Sequence, residues 1–345
     1  MSPDQAPLQA LLLPFENESV AWPRDGGLFL NARAGMALQA GRWPGLVAVQ
    51  GFKPEADALE RAGHTVQASA GEGSSGSVLL LPPRQREERR ALFATALDRC
   101  REGGWMVASV ANAEGAKSAE REFAQLAGLD GTVSKHHCRV FWTRRDEARI
   151  DADLLERWRA ADAPRTILDG QFLSRPGVFA WDRVDPASAM LAARLPDDLP
   201  GEGADLGAGW GYLASEVLRR NPRVQALDLY EADARALELA RGNLASLAGA
   251  VRLGFHWHDV SAGLPRHYDF IVSNPPFHAR DRLDRPELGQ RFIAAAAQAL
   301  RPGGRLLLVA NRHLPYEQAL RTGFERVDVL AEAGGFKVIA ARRGR

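Results

Sequence analysis

Two stretches of this sequence share one plan. "GSVLLLPPRQRE" (76–87) and "DFIVSNPPFHAR" (269–280) are each an apolar run closed by Pro-Pro. Each is followed by a helical pattern and a Gly-Gly strand start, "CREGGWMVASV" in the first case and "LRPGGRLLLVA" in the second. Around both, short apolar strands alternate with amphipathic helical segments: "GLVAVQG", "EADALERAG", "SVLLLPP" and "EERRALFATALDRC" between about residues 45 and 145, then "VQALDLYE", "ARALELARGNLASLA" and "YDFIVSNPPF" after Gly201. Strands of four to eight residues alternating with helices predict a mostly parallel sheet wrapped by helices. Their occurrence twice predicts an internal duplication.

The boundary falls where the pattern breaks. A polar helical stretch from Asp151 to Ala161 is followed by the turn-rich "LDGQFLSRPGVFAWDRVDPAS", which divides the chain into domains at 1–160 and 161–345. With 345 residues, 46% of them hydrophobic, two ordinary cores are available. The longest apolar runs are strand-sized, and the start "MSPDQAPLQALLLPFENES" lacks the basic opening and cleavage site of a secretory signal, so a cytoplasmic protein without membrane spans is expected. Cys100 and Cys138 are too few for a disulfide framework or a thiolate metal site, and no metal is expected. Of 44 basic residues only Lys53, Lys117, Lys135 and Lys337 are lysines. The arginine excess suits RNA, since guanidinium both forks onto phosphate and stacks on bases, and suits equally the codon bias of a GC-rich genome.

The second half carries the first chemical motif, "ADLGAGWGYLASEVLRR". Asp205 closes a strand, Gly207, Gly209 and Gly211 form a tight turn, and a helix opens near Tyr212. Glycines there let a ligand approach the backbone and free its amides for binding. The spacing D-x-G-x-G-x-G is one residue shorter at its third glycine than the G-x-G-x-x-G of nicotinamide binders. It is similar instead to motif I of S-adenosylmethionine-dependent methyltransferases of the Rossmann-like class. About 20 residues on, the strand "VQALDLYE" ends in Glu231, where an acid can accept from both ribose hydroxyls of a nucleoside cofactor. Asp228 competes for that role, and capping the next helix is the bland alternative for Glu231. The strand "VRLGFHWHD" ends in Asp259, either an adenine contact or a loop acid.

The fourth strand ends in "SNPPFH". Two prolines fix the chain's exit and remove two amide donors, leaving the Asn274 side-chain oxygen and the Pro275 carbonyl as acceptors. Two acceptors and a stacking ring, Phe277, suit an exocyclic NH2 on a planar base: accepting its hydrogens aims the nitrogen lone pair at an electrophilic methyl. Such a site works by positioning and desolvation alone. The first half has Leu81 in place of that Asn. Its "LVAVQGFKPEADALERAG" offers only Gly51 where a glycine turn is expected, so the first domain reads as a degenerate copy. His278 and Asn311 are candidate substrate contacts, Phe179 a candidate cofactor flank, and Arg280, Arg282 and Arg285 candidate phosphate holders or a solvated loop.

With "LPFENE", "KSAE", "RPGVFAWDRVD", "SNPPFH" and "VANRHLPY…GGFKV" on the page, nearly the whole chain resembles the bacterial 16S ribosomal RNA guanine-N2-methyltransferases of the guanine-1207 type, built from two tandem methyltransferase-like domains. The resemblance implies an α/β fold of two tandem Rossmann-like methyltransferase domains, the first degenerate and serving RNA binding or structure. It also implies S-adenosyl-L-methionine as cofactor, 16S rRNA or the small ribosomal subunit as partner, and a monomer. The resemblance and the motifs together give Asn274, Pro275 and Phe277 to catalysis, and Asp205, Gly207, Gly209, Gly211, Glu231 and Asp259 to the cofactor. Motif I departs mildly from the pattern, with Ala208 and Trp210 at its variable positions and Glu231 for the commoner aspartate. NPPF-type motifs also serve enzymes that methylate DNA adenine, protein glutamine or large-subunit RNA guanine, and these remain the enzymatic alternatives. A cofactor-responsive RNA-binding or assembly factor is the non-enzymatic one.

Overall fold

The computed structural model describes residues 5–41, 43–276, 286–313 and 315–345. It separates into two units: Met1–Ala163 with Arg175–Gly177, and Pro164–Ser174 with Val178–Arg345.

The first unit contains β1 (Gly27–Leu30), β2 (Val47–Val49), β3 (Thr65–Gln67), β4 (Ser75–Leu80), β5 (Cys100–Ala111), β6 (Gly131–Lys135) and β7 (Cys138–Arg144). They form one seven-stranded sheet in the order β3-β2-β1-β4-β5-β7-β6, with β7 antiparallel to both neighbours and the other pairs parallel. The second unit opens with an antiparallel pair, β8 (Arg165–Ile167) and β9 (Phe172–Ser174). Its main sheet holds β10 (Gly201–Leu206), β11 (Val224–Glu231), β12 (Arg252–Trp257), β13 (Tyr268–Ser273), β14 (Leu300–Asn311), β15 (Arg326–Ala333) and β16 (Phe336–Arg342). The order, β12-β11-β10-β13-β14-β16-β15, repeats that of the first unit, including the reversed last strand.

Each sheet is covered on both faces, as near-continuous apolar strands require. In the first unit Leu28, Leu30, Val78 and Leu80 enter one cluster with Phe93, Leu97 and Phe123, while the alternating Phe29, Leu79 and Val107 pack on the other side with Leu8, Leu11 and Leu12. In the second unit Leu206, Ile271 and Leu308 meet Phe292 and Ile293 on one face, and Leu229, Val272 and Val309 meet Leu213, Val217 and Leu237 on the other. This is the period-two alternation of strand side chains, read twice.

The registers align the two units residue by residue. Gly27 pairs with Ser77 and Leu30 with Leu80; Gly203 pairs with Phe270 and Leu206 with Ser273. The turn of the first unit that corresponds to "GAGWG" (207–211) is therefore "NARAG" (31–35). This corrects the expectation that placed it after "GLVAVQG". That segment forms β2, the counterpart of β11, and the first strand is the four-residue "GLFL". Four residues buried throughout show no alternation to read.

Candidate active site

The chain reverses its direction across the sheet between β10 and β13, and ligands of open α/β sheets bind at the carboxyl ends of the strands flanking such a switch point. Ser273 joins the two strand ends, its Oγ donating to the Leu206 carbonyl at 2.8 Å. Beyond Leu206 the three glycines take left-handed backbone, with φ of +72° at Gly207, +56° at Gly209 and +93° at Gly211. Their reasons differ. A Cβ at Gly211 would press on Ala240 at 3.3 Å, so that glycine serves helix packing. A Cβ at Gly209 would meet nothing within 4 Å, so that one faces open space. A Cβ at Gly207 would lie 3.7 Å from the Asn274 carbonyl, which places the glycine turn beside the exit of β13. The helix Tyr212–Arg220 starts at the turn, with Leu213, Ala214 and Val217 buried.

Asp205 lies beneath the turn, fully buried. Neither carboxylate oxygen has a hydrogen-bond partner among the described residues. Burial dominates over the approach of the Ala214 backbone N–H, the nearby Glu231 charge adds to it, and the Asp205 carboxyl is pushed up to about 7. At the end of β11, Glu231 Oε2 accepts from the Gly209 N–H and Oε1 from the Asp233 N–H, each at 2.8 Å. Burial raises its pKa against the pull of these two amides. The helix Ala234–Leu244 is capped by Asp233, whose Oδ1 accepts from the Arg235 N–H at 2.9 Å, so Glu231 is not the cap. Asp228, the competitor, is spent elsewhere: its Oδ2 accepts from the Tyr268 hydroxyl at 2.8 Å and from Arg266 at 2.9 Å. Asp259 caps the short turn Val260–Ala262 by accepting from the Ser261 N–H.

At the β13 exit, Asn274 Nδ2 donates to Asp185 Oδ2 at 2.9 Å and to Ser188 Oγ at 2.8 Å. Its Oδ1 is buried and has no partner among the described residues. Pro275 is buried and Pro276 exposed. Phe277, His278, Arg280, Arg282 and Arg285 lie outside the described residues. Asn311 ends β14 and is buried. Phe179 is 67% exposed and packs into no core.

Asp185 and Ser188 were not singled out from the sequence. The signal that could have found them is the helix start "DPAS", with Asp as cap, Pro in the first turn and Ser three residues on; in the structure Asp185 Oδ2 accepts from the Ser188 N–H at 2.8 Å. Trp210, at a variable position of the turn, is buried against Phe172, with ring centroids 5.0 Å apart. In the first unit Arg86, Arg89 and Arg90 converge on buried Glu122 at about 3 Å. Burial alone would raise the Glu122 pKa, but the hydrogen bonds from Arg86 and Arg89 and the charges of Arg89 and Arg90 outweigh it and hold the carboxylate below its usual range. Both cysteines are free and buried, and burial pushes their thiols up to about 12 for Cys100 and about 11 for Cys138.

No helix among the described residues is long and apolar enough to cross a membrane. A doubly wound sheet with a three-glycine turn after its first strand, an acid ending its second and Asn-Pro-Pro leaving its fourth defines a Rossmann-like methyltransferase. Residues 169–340 match the methyltransferase small domain family. The chain is 33% identical to the ribosomal RNA small subunit methyltransferase C of Pseudomonas aeruginosa (strain LESB58) over 79% of its own length and 80% of the relative's. It is 35% identical to the protein of that name from Klebsiella pneumoniae over 66% and 64%. The T. thermophilus 16S rRNA N2 G1207 methyltransferase, solved with AdoMet and guanosine, superposes with a TM-score of 0.76 at 24% identity, over 98% of this chain and 92% of that one. The chain belongs to the ribosomal RNA small subunit methyltransferase C family.

Proposed function

We propose that the second unit transfers a methyl group from S-adenosylmethionine to the exocyclic N2 amine of a guanine in 16S rRNA, the position being guanine 1207 as in the T. thermophilus relative. The observation that carries the reading is the state of Asn274. Its amide nitrogen is fully engaged and its oxygen left without a partner, beside a glycine turn with open space above it.

The residues present fit the cofactor. The buried, unpartnered Asp205 carboxylate suits the ammonium of the methionine part, Gly207 and Gly209 leave room for the chain to approach, and each Glu231 oxygen keeps a second lone pair for a ribose hydroxyl. Asp259 is the adenine-side acceptor in this reading. When bound, the cofactor supplies an electrophilic methyl on a sulfonium, whose sulfur keeps the C–S electron pair as the new N–C bond forms. Asn274 Oδ1 and the Pro275 carbonyl accept the two N2 hydrogens and turn the nitrogen lone pair toward the methyl. Phe277 stacks on the base. The methylated nitrogen then releases its proton to water, so no buried base is required.

The first unit takes an RNA-binding or structural role without cofactor. Arg84, exposed, is its candidate phosphate contact, whereas Arg86, Arg89 and Arg90 spend hydrogen bonds on Glu122. A monomer acting in the cytoplasm, where ribosomal subunits assemble, completes the reading. The test is incubation with labelled S-adenosylmethionine and separated 16S rRNA, small subunits, DNA and protein. Label at guanine N2 of 16S rRNA, free or in subunits, is expected. Label at adenine, at glutamine or nowhere overturns the reading.

A further inference from the structure

An asparagine amide is nearly symmetric in shape and opposite in polarity at its two ends. Turned one way it offers an acceptor to an incoming amine; turned the other way it offers two hydrogens and repels it. A strand exit locked by two prolines fixes the backbone of Asn274 but not this choice. The choice is made by Asp185 and Ser188, which sit at the first turn of the helix Pro186–Ala192, almost ninety positions earlier in the chain.

The carboxylate of Asp185 has no hydrogen to give, so the amide must present nitrogen to it. The two amide hydrogens go to Asp185 Oδ2 at 2.9 Å and Ser188 Oγ at 2.8 Å. Both donors are then consumed, and the one remaining function of the side chain is the buried acceptor Oδ1. A charged acceptor on the nitrogen also draws the amide's electrons toward its oxygen, which strengthens Oδ1 as an acceptor. The pair is itself held: the same Asp185 oxygen accepts from the Ser188 N–H at 2.8 Å, and Ser188 is 8% exposed. In the first unit Leu81 stands in the matching position, a side chain with no amide to orient.

We infer that Asp185 and Ser188 are positioning residues for methyl transfer, fixing the Asn274 amide with its oxygen toward the substrate amine. The inference rests on Asn274 being the acceptor of that amine. A residue that only supports the fold would lower the amount of active enzyme; a positioning residue lowers kcat and leaves cofactor affinity and RNA KM in place.

The experiment compares kcat, RNA KM, cofactor Kd and melting temperature for the full chain and its variants. Ser188→Ala removes one of the two acceptors and should lower kcat by about tenfold with Kd and KM unchanged, while Ser188→Thr, which keeps the hydroxyl, should restore most of it. Asn274→Asp places two carboxylates against each other and should abolish transfer. Adding Asp185→Asn exchanges the polarity of the pair and should recover a measurable part. Wild-type kcat in Ser188→Ala, equal loss in Ser188→Ala and Ser188→Thr, or no recovery in the exchanged pair overturns the inference, and leaves the site reading standing if Asn274→Ala is inactive. Normal turnover by Asn274→Ala overturns both.

Discussion

The two units have the same sheet, strand for strand, and differ where the strands end. Aligned through their registers, Asp205 of the second unit corresponds to Phe29 of the first, Gly207 to Asn31, Gly209 to Arg33, Glu231 to Gln50 and Asn274 to Leu81. The first unit closes these positions on itself. Asn31, also at positive φ, donates to the Leu81 carbonyl at 2.6 Å. Gln50, 2% exposed, donates to the Ala32 carbonyl at 2.6 Å and accepts from the Phe52 N–H at 2.9 Å. Phe29 is wholly buried in the core. In the second unit the matching Asp205 oxygens and Asn274 Oδ1 have no partner among the described residues. The contrast separates what a sheet needs from what a site needs. Apolar residues in mid-strand hold each layer stack together, and they are present in both units. Buried polar atoms without partners are costly to folding; at these strand ends the first unit satisfies Asn31 and Gln50 internally, whereas the second leaves Asp205 and Asn274 Oδ1 unpartnered.

The largest effect expected from this contrast is at the strand exit. Asn274→Ala should lower methyl transfer on the order of 100-fold or more while cofactor affinity holds, and Leu81→Asn should add no second transfer activity while lowering the melting temperature, because Leu81 is buried in the first unit's core; label transfer from S-adenosylmethionine and thermal unfolding read the two. Activity that survives the first change, or a second active site created by the other, would break the comparison.

The glycine turn gives the next test. Calorimetry should find one cofactor site per chain. Gly209→Val should weaken it by about tenfold, since the new side chain enters the open space over the turn and a turn that relaxes to escape roughly 1–2 kcal/mol of left-handed strain must be forced back on binding. Gly207→Arg should abolish binding outright. Two sites per chain would mean that the first unit still binds.

A tenfold effect is expected from Asp205. Its carboxyl is raised to about 7, so the folded state favours the protonated form and the stability this group contributes falls as pH rises from the ordinary aspartate range to about 7, then stays level. Cofactor binding runs the opposite way, because pairing with an ammonium needs the ionised form: affinity should be about tenfold weaker at pH 6 than at pH 8. Calorimetry at both values should show the trend in the native chain and none in Asp205→Asn.

The smallest effect should come from the first unit. Arg84→Ala should weaken RNA binding less than tenfold and make the salt dependence shallower by about one counterion. Filter binding at several salt concentrations measures it, and an unchanged slope removes Arg84 from the interface.

Much of this was legible in advance. The strand "VQALDLYE" and the helix opening at Tyr212 are found where periodicity puts them, as Val224–Glu231 and Tyr212–Arg220. The reason is local: strand alternation, glycine conformations and proline constraints are written in neighbouring residues. The first strand of the first unit was missed because four fully buried residues carry no period. Arg84, Arg86, Arg89 and Arg90 lie within seven positions of one another, and three of them converge on Glu122, a partner more than thirty residues away.

The sequence by itself determined that there are two α/β units and that only the second has a glycine turn followed by an acid and Asn-Pro-Pro, the motifs that point to methylation of an amine. Those features depend on residues adjacent in the chain. Tertiary structure decided which way the amide of Asn274 faces, that Asp205 is stripped of partners while Asp228 is surrounded by them, and that Glu231 bridges to Gly209 rather than capping a helix. Each of these is a hydrogen bond across the sheet or between separated elements, and side-chain polarity at such a distance is fixed only when folding brings the partner to it.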